Sequence, residues 1–245
     1  MTAPKKEAAI SYTAAEYEAT KTGSPFRTEV EAYTIFQLVG DPTGLTGVDV
    51  GCGDGLYSRT LADLGAKHIV GVDCVPEFIE MARAKNVGYE GRIEYAEAFV
   101  QDLNGRRTRD LVLGSYVLSY PRNAEEAVAY CRGIASLLKP GGRFVGFNNN
   151  PFDISPGERF ASYGFRKTVQ STVEGSEVVY RVDGMTDPIV NYYLQPMTYE
   201  AAFREAGFAQ FRWERVQLNP ECAGDPYWEE FFREEPPFIA MVAVK

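Results

Sequence analysis

Short apolar runs, separated by stretches with helical periodicity, set the rhythm of the first two thirds of this chain. Runs of this kind occupy 46–50, 68–73, 93–97, 110–114 and 143–148. Between them lie amphipathic stretches at 56–64, from Pro76 to about Lys85, and at about 124–138. Runs this short and this apolar read as buried parallel strands, and the 3.6-residue pattern reads as helix. Pro76 suits a first helical turn, where its missing N–H would be unpaired anyway. The alternation predicts an α/β fold: a Rossmann-like, doubly wound sheet with right-handed crossovers.

The ends follow other patterns. Residues 1–10 read as disordered. Thr13 to Lys21 predicts a short helix, capped by Thr13 with Glu16 as its capping-box partner. Gly23-Ser24-Pro25 breaks it, and Glu29 to Val39 predicts a second helix with Ile35, Phe36 and Leu38 on its apolar stripe. After Asn148 the rhythm changes. Lys167–Val173 and Glu177–Val182, joined through Glu174-Gly175-Ser176, predict a β-hairpin, and 189–194 a third strand beside it. Tyr199–Ala206 predicts a helix stopped by Gly207. Two last strands are expected at 211–216 and 238–244, giving seven in the main sheet. The expected organisation is one domain over 1–245, with an N-terminal helical lid over 1–40. An antiparallel β lid inserted over 151–195 would sit above the carboxyl edge of the sheet.

Composition narrows the class. The net charge of −9 over 245 residues argues against binding phosphate backbones, which needs Lys and Arg. The four cysteines, Cys52, Cys74, Cys131 and Cys222, show no metal-ligand spacing, and there is one histidine, so no metal is expected. Reduced thiols fit the cytoplasm. No window approaches a membrane span. Oligomeric state is left open, with a homo-oligomer as one option.

The candidate chemistry sits where the first run ends. Val48-Asp49-Val50-Gly51-Cys52-Gly53-Asp54-Gly55 runs from a strand through a glycine-rich turn into a helix. Glycines let backbone approach a ligand with no Cβ in the way. The second run ends in Asp73, a carboxylate placed to accept the hydroxyls of a ribose. The dinucleotide fingerprint is not met: Leu56 stands where its third glycine belongs, and Asp49 would repel a pyrophosphate.

The pattern Asp49-x-Gly51-x-Gly53-x-Gly55 resembles the first motif of class I S-adenosylmethionine methyltransferases. Glu94-Tyr95-Ala96-Glu97-Ala98, Asp110-Leu111-Val112-Leu113-Gly114-Ser115-Tyr116 and Leu137-Leu138-Lys139-Pro140-Gly141-Gly142 resemble later motifs of that family, in the family's order. Arg27 to Asp41, Glu158 to Gly164 and Gly207 to Glu214 further resemble toxoflavin-synthase-like small-molecule N-methyltransferases. The resemblance implies S-adenosylmethionine as cofactor and S-adenosylhomocysteine as product. Gly51, Cys52 and Gly53 would meet the methionine part, and Asp49 would bias that region towards its ammonium. Asp73 would take the ribose. Cys74, Val75, Glu97, Ala98 and Phe99 would surround adenine, with Asp102 a rival to Glu97. Ser115 and Tyr116 would lie under the sulfonium. Tyr17 and Arg27 are candidates for the methionine carboxylate, with an ion pair from Arg27 to Glu29 or Glu31 as the rival reading.

Tyr116, Tyr120 and Asn148 are the candidates for positioning the reacting groups. Tyr12, Asn150, Phe152, Tyr163 and Tyr192 are candidates for the acceptor pocket, alongside Tyr193. Asn148-Asn149-Asn150-Pro151-Phe152 superficially resembles the Asn-Pro motif of DNA base methylases, but it follows the fifth strand, not the fourth. A small-molecule acceptor is therefore expected, with no nucleic-acid or membrane partner. His68 reads as structural, so nitrogen is the expected acceptor atom. O-methylation, a non-methylating reaction on the same cofactor, and a cofactor-binding subunit without chemistry remain as rivals.

Overall fold

The computed structural model describes residues 13–21, 24–155 and 157–245. The short apolar runs form β1 (Thr46–Val50), β2 (His68–Asp73), β3 (Ile93–Glu97), β4 (Arg109–Ser115) and β5 (Leu138–Asn149). After Asn149 come β6 (Phe165–Val169), β7 (Glu177–Val182) and β8 (Ile189–Tyr192), then β9 (Gln210–Glu214) and β10 (Phe238–Val244). The main sheet has seven strands in the order β3-β2-β1-β4-β5-β10-β9. Strands β1 to β5 pair in parallel, while β10 runs antiparallel to both β5 and β9. The winding reverses between β1 and β4. In an open α/β sheet that reversal leaves a crevice beyond the carboxyl ends of the strands.

Helices cover both faces: α1 (Ala14–Lys21), α2 (Tyr33–Val39), α3 (Leu56–Asp63), α4 (Pro76–Ala84), α5 (Ala124–Leu137), α6 (Pro196–Glu205) and α7 (Glu229–Phe232). The period-2 alternation of β4 shows why two layers form. Leu111 and Leu113 join one core with Ile35 of α2, Leu61 of α3 and Ile79 of α4. Val112 joins the other with Ile134 of α5 and Phe203 of α6. Strands β6 to β8 form a separate antiparallel sheet, as the hairpin pattern predicts. It is fixed to the end of the main sheet by Asn149 Nδ2 donating to Asn191 Oδ1 at 3.0 Å. Tyr180 of β7 also stacks on Phe238 of β10, centroids 5.6 Å apart.

Element boundaries differ where tertiary pairing overrides local pattern. β5 starts at Leu138, not 143, because Leu138 already pairs with Arg109 before the register shifts. β6 spans Phe165–Val169, so the hairpin turn is longer than expected. The expected helix Glu29–Val39 opens with a wider π-helical segment, Arg27–Ala32, before α2. Wide turns of this kind are frequent at functional sites. The capping box of α1 is present: Thr13 Oγ1 accepts from the Glu16 N–H at 3.2 Å, and Glu16 Oε2 from the Thr13 N–H at 3.0 Å.

Candidate active site

The turn after β1 is built from backbone. Gly51, Gly53 and Gly55 have φ of 68°, 55° and 79°, the left-handed region that glycine adopts without steric cost. Space enforces the choice as well as angle. A Cβ on Gly51 would stand 2.7 Å from Val117 Cγ2, and one on Gly55 2.2 Å from the Tyr95 hydroxyl. The N–H groups of Gly51 and Cys52 donate to Val72 O, drawing the turn against the end of β2. Asp73 closes this arrangement: Oδ2 accepts from the Gly53 N–H at 2.9 Å and Oδ1 from the Val75 N–H at 3.0 Å.

Asp49 is buried on β1 and accepts from Ser58 Oγ of α3 at 2.7 Å. It therefore braces the strand against the helix that follows the turn. Cys74 flanks Asp73; burial, then the Asp73 charge, pushes its thiol up to about 11. Ala98 donates its N–H to Asp73 O at 2.9 Å, which brings Ala98 and half-buried Phe99 beside Cys74 and Val75. Glu97 and Asp102 are both exposed. The glycine cradle, the carboxylate at the tip of β2 and this partly apolar margin fit an adenosyl-sulfonium nucleoside. They offer no set of cationic side chains for a diphosphate.

Beside the turn lies a network that joins the predicted Tyr17, Arg27, Ser115 and Tyr116 through Glu31, and adds Tyr57 to them. Glu31, 1% exposed, projects from the π-helical turn. Its carboxylate accepts from Arg27 and Tyr57 at 2.6 Å, from Tyr116 at 2.7 Å and from Ser115 Oγ at 3.2 Å. Arg27 also donates to the Tyr17 hydroxyl at 3.1 Å and lies against the Tyr17 and Tyr116 rings. Burial opposes the Arg27 charge, but Glu31 together with the Tyr17, Tyr116 and Tyr57 phenols outweighs it and holds the guanidinium well above its usual pKa. Burial, and then Glu31, pushes the Tyr57 and Tyr116 phenols well above 10.0. Of the two readings of Arg27, the structure shows the ion pair with Glu31, and shows it buried.

Tyr116 follows β4 with φ 61° and ψ 0°, a left-handed conformation in a residue that carries a Cβ. Such a conformation costs on the order of 1–2 kcal/mol and persists only where surrounding contacts impose it. Here the Tyr116 N–H donates to Phe147 O, and the ring packs edge-on against Phe147 and Phe238.

A cavity of about 350 Å³ opens next to this network, between α1, the π-helical turn and the β6–β8 sheet. Tyr17, Arg27, Tyr116, Tyr120 and Tyr163 all line it, so these predicted residues do meet. Phe26, Asn149, Tyr180, Asn191 and Phe238 line it too and were not singled out from sequence. Several predicted residues lie elsewhere. Asn148 is buried beneath the site, its Oδ1 accepting from Ser119 Oγ at 2.6 Å. Asn150 is spent on its own turn, donating to Pro236 O and accepting from the Phe152 N–H. Phe152 is exposed and packs edge-on against Trp213. Tyr192 and Tyr193 border a separate, much smaller void beside Lys167 and Asp153. Tyr12 lies outside the described residues. His68 stands at the amino end of β2 between Glu94 and Arg109, at the opposite edge of the sheet. Among the described residues no cluster of His, Cys, Asp or Glu could hold a metal, and no helix is long and apolar enough to cross a membrane.

Comparison with known proteins bears on the sheet and its glycine turn. Residues 48–142 match the family model described as "Methyltransferase domain". A ubiquinone biosynthesis O-methyltransferase of Xanthomonas axonopodis pv. citri is 34% identical over 105 residues, which span 42% of this chain and 42% of that protein. The namesake from Bordetella avium is 26% identical over 190 residues, 76% of this chain and 71% of that protein. The crystal structure of an S-adenosylmethionine-dependent methyltransferase from Mesorhizobium loti superposes with a TM-score of 0.65 at 21% identity, covering 92% of this chain and all of that one (100%). Residues 48–142 are thus similar to a methyltransferase domain, and the seven-stranded sheet that contains them has the Rossmann-like methyltransferase fold.

Proposed function

We propose that this protein is an S-adenosylmethionine-dependent methyltransferase that methylates a nitrogen of a small aromatic or heterocyclic metabolite in the cytoplasm. The observation that carries this reading is the aromatic cavity at the carboxyl ends of β4 and β5, lined by Tyr116, whose chain neighbours Ser115 and Val117 lie against Gly51 of the glycine turn. S-Adenosylmethionine would supply an electrophilic methyl group on a sulfonium, which the acceptor's lone pair displaces in line. The chain's part is to bind, align and exclude water. Gly51, Gly53 and Asp73 would hold the nucleoside. Tyr120, Tyr163 and Tyr180 would clasp a planar ring, and aromatic faces favour the cation that forms as nitrogen is methylated.

Nitrogen is preferred because the described residues that line the cavity include no histidine or lysine to take a hydroxyl proton. The one carboxylate among those described residues, Asp183, is held by Arg166 at 3.0 Å on an exposed rim. The second reading, O-methylation of an acidic hydroxyl, is favoured by the names of the ubiquinone-pathway relatives. A panel of heterocycles that carry a lone-pair nitrogen beside an N–H, such as imidazoles, and of phenols, incubated with methyl-labelled cofactor, separates the two. Label on the heterocycles is expected. Label on phenols alone would establish the second reading, and no S-adenosylhomocysteine above background with either set would defeat both.

A further inference from the structure

We infer that Glu31 and Tyr116 form a polarised hydrogen-bond acceptor for the N–H of the methyl acceptor. Glu31 serves as a positioning residue, and the Tyr116 phenol oxygen makes the contact. The inference rests on the nitrogen reading above. It starts from the direction of one proton. The Tyr116 hydroxyl has a single hydrogen, and that hydrogen is committed to Glu31 Oε2 at 2.7 Å. Towards the cavity that Tyr116 lines, its oxygen can therefore only accept. A ligand with a donor beside its reacting atom is matched by this oxygen, and a ligand with lone pairs there is repelled.

The carboxylate also strengthens that acceptor. A phenol donating to a buried carboxylate gains electron density on oxygen, because hydrogen bonds in a chain polarise one another. As the nitrogen lone pair takes the methyl group and the sulfonium S–C bond breaks, positive charge builds on the acceptor and its N–H becomes a stronger donor; that proton leaves to water after the product is released. An acceptor fixed beforehand then favours the transition state over the ground state. Glu31 is itself fixed by Arg27, Tyr57 and Ser115, which donate to it from its own helical turn, from α3 and from the end of β4. The left-handed backbone at Tyr116 places the ring in this position despite its steric cost.

The test uses indole and benzofuran, which share a shape and differ in presenting N–H or a bare oxygen. Their binding to the full chain saturated with S-adenosylhomocysteine is measured by calorimetry. Wild type is expected to favour indole about 5-fold, the usual worth of one net hydrogen bond. In Tyr116→Phe the preference should fall to about 1. In Glu31→Gln the amide oxygen can still accept the Tyr116 proton but carries no charge, so the phenol oxygen is less polarised and the preference should fall between the wild-type ratio and 1. A purely structural role for Glu31 would weaken both probes alike and leave their ratio intact. A wild-type ratio of one, a preference that survives in Tyr116→Phe, or failure of both probes to bind would overturn the inference. The label-transfer panel reads the acceptor atom separately. Label on nitrogen without an indole preference removes this contact alone, and an indole preference with label only on phenols removes the nitrogen reading alone.

Discussion

The crevice at the glycine turn and the aromatic cavity adjoin, yet they are built from different materials. The crevice is backbone: positive-φ glycines, N–H groups donating to Val72 O, and one carboxylate, Asp73, holding the amides of Gly53 and Val75. The cavity is side chain. Its walls come from α1, the π-helical turn, the loop after β4, the end of β5 and the β6–β8 sheet, and it is held by buried ion pairs. Backbone geometry is set by local sequence, so the crevice is constrained by a few consecutive residues. The cavity exists only once distant segments have docked, so each contact within it can be exchanged without disturbing the sheet.

That contrast predicts where stability is most exposed. Lys167 on β6 donates to Asp153 O and Oδ2 at 2.7 and 2.8 Å, and both side chains are almost wholly buried. Burial pulls the lysine pKa down, and Asp153 only partly restores it. Asp153→Ala leaves a buried ammonium uncompensated, a loss of about 3–5 kcal/mol in comparable pairs. At this chain length each kcal/mol lowers Tm by roughly 2–4 °C, so a fall on the order of 10 °C is expected in thermal unfolding. The double variant Lys167→Met/Asp153→Leu should recover most of it, because apolar replacements of a buried pair are often neutral. A single variant as stable as wild type would mean that the β6–β8 sheet is not anchored through this pair.

The crevice is broken differently, chiefly through ligand affinity, with a smaller loss of stability as the Gly53 and Val75 amides lose their acceptor. Asp73→Ala removes a charged acceptor worth about 1.5–3 kcal/mol, so S-adenosylhomocysteine should bind on the order of 10- to 100-fold more weakly by calorimetry. Indole binding should stay within about 2-fold of wild type, since Asp73 does not line the cavity. Equal losses for both ligands would show that the two regions act as one.

The same division explains what could be read from the sequence. Gly51, Gly53 and Asp73 were legible because each follows a strand whose apolar run fixes its end, and such turns repeat one spacing. The strands of the main sheet were legible from periodicity for the same reason. Arg27 was legible as a cation near a carboxylate, but not as a buried one. Glu31 looks like any exposed helical glutamate until the π-helical turn aims it at Tyr116. Asn149 could not be told from Asn148 and Asn150. Only the pairing of Asn149 with Phe238 on β10 decides which of the three reaches the cavity. Phe152 and Tyr192 were placed by proximity in sequence, and a one-residue change of face sends a strand side chain elsewhere.

Alkaline pH tests the cavity side further. Burial and Glu31 raise the phenol pKa values of Tyr57 and Tyr116 well above 10.0. The folded chain therefore keeps protons that the unfolded chain releases at about pH 10. The contribution is complete below that pH and is lost as pH rises past it. Each such group removes about 1.4 kcal/mol per pH unit. Tyr57→Phe should make the decline shallower in urea titrations between about pH 9 and 11. An unchanged slope would mean that Tyr57 is not held neutral by the network.

The smallest effect concerns the edge where the helical and β segments meet. Glu16 of α1 accepts from Thr13 and also from Thr186, in the turn between β7 and β8, and these hydrogen bonds hold its carboxyl at about 2. A lowered carboxylate pKa contributes above its unfolded value and is lost only as pH falls through about 2, so this link is intact throughout the neutral range. Tyr17 and Thr20 of α1 face Val182, Asp183 and Ile189 across the cavity just behind it. Glu16→Gln keeps an acceptor but loses its charge. Amide exchange in α1 should quicken and the acceptor KM should rise about 2-fold, since an exposed neutral hydrogen bond is worth little. Cofactor affinity should not move, because no crevice residue touches Glu16. A kcat change with constant KM would place this contact in catalysis and not at the entrance. Slower exchange in the variant would show that α1 is strained by the link and not secured by it.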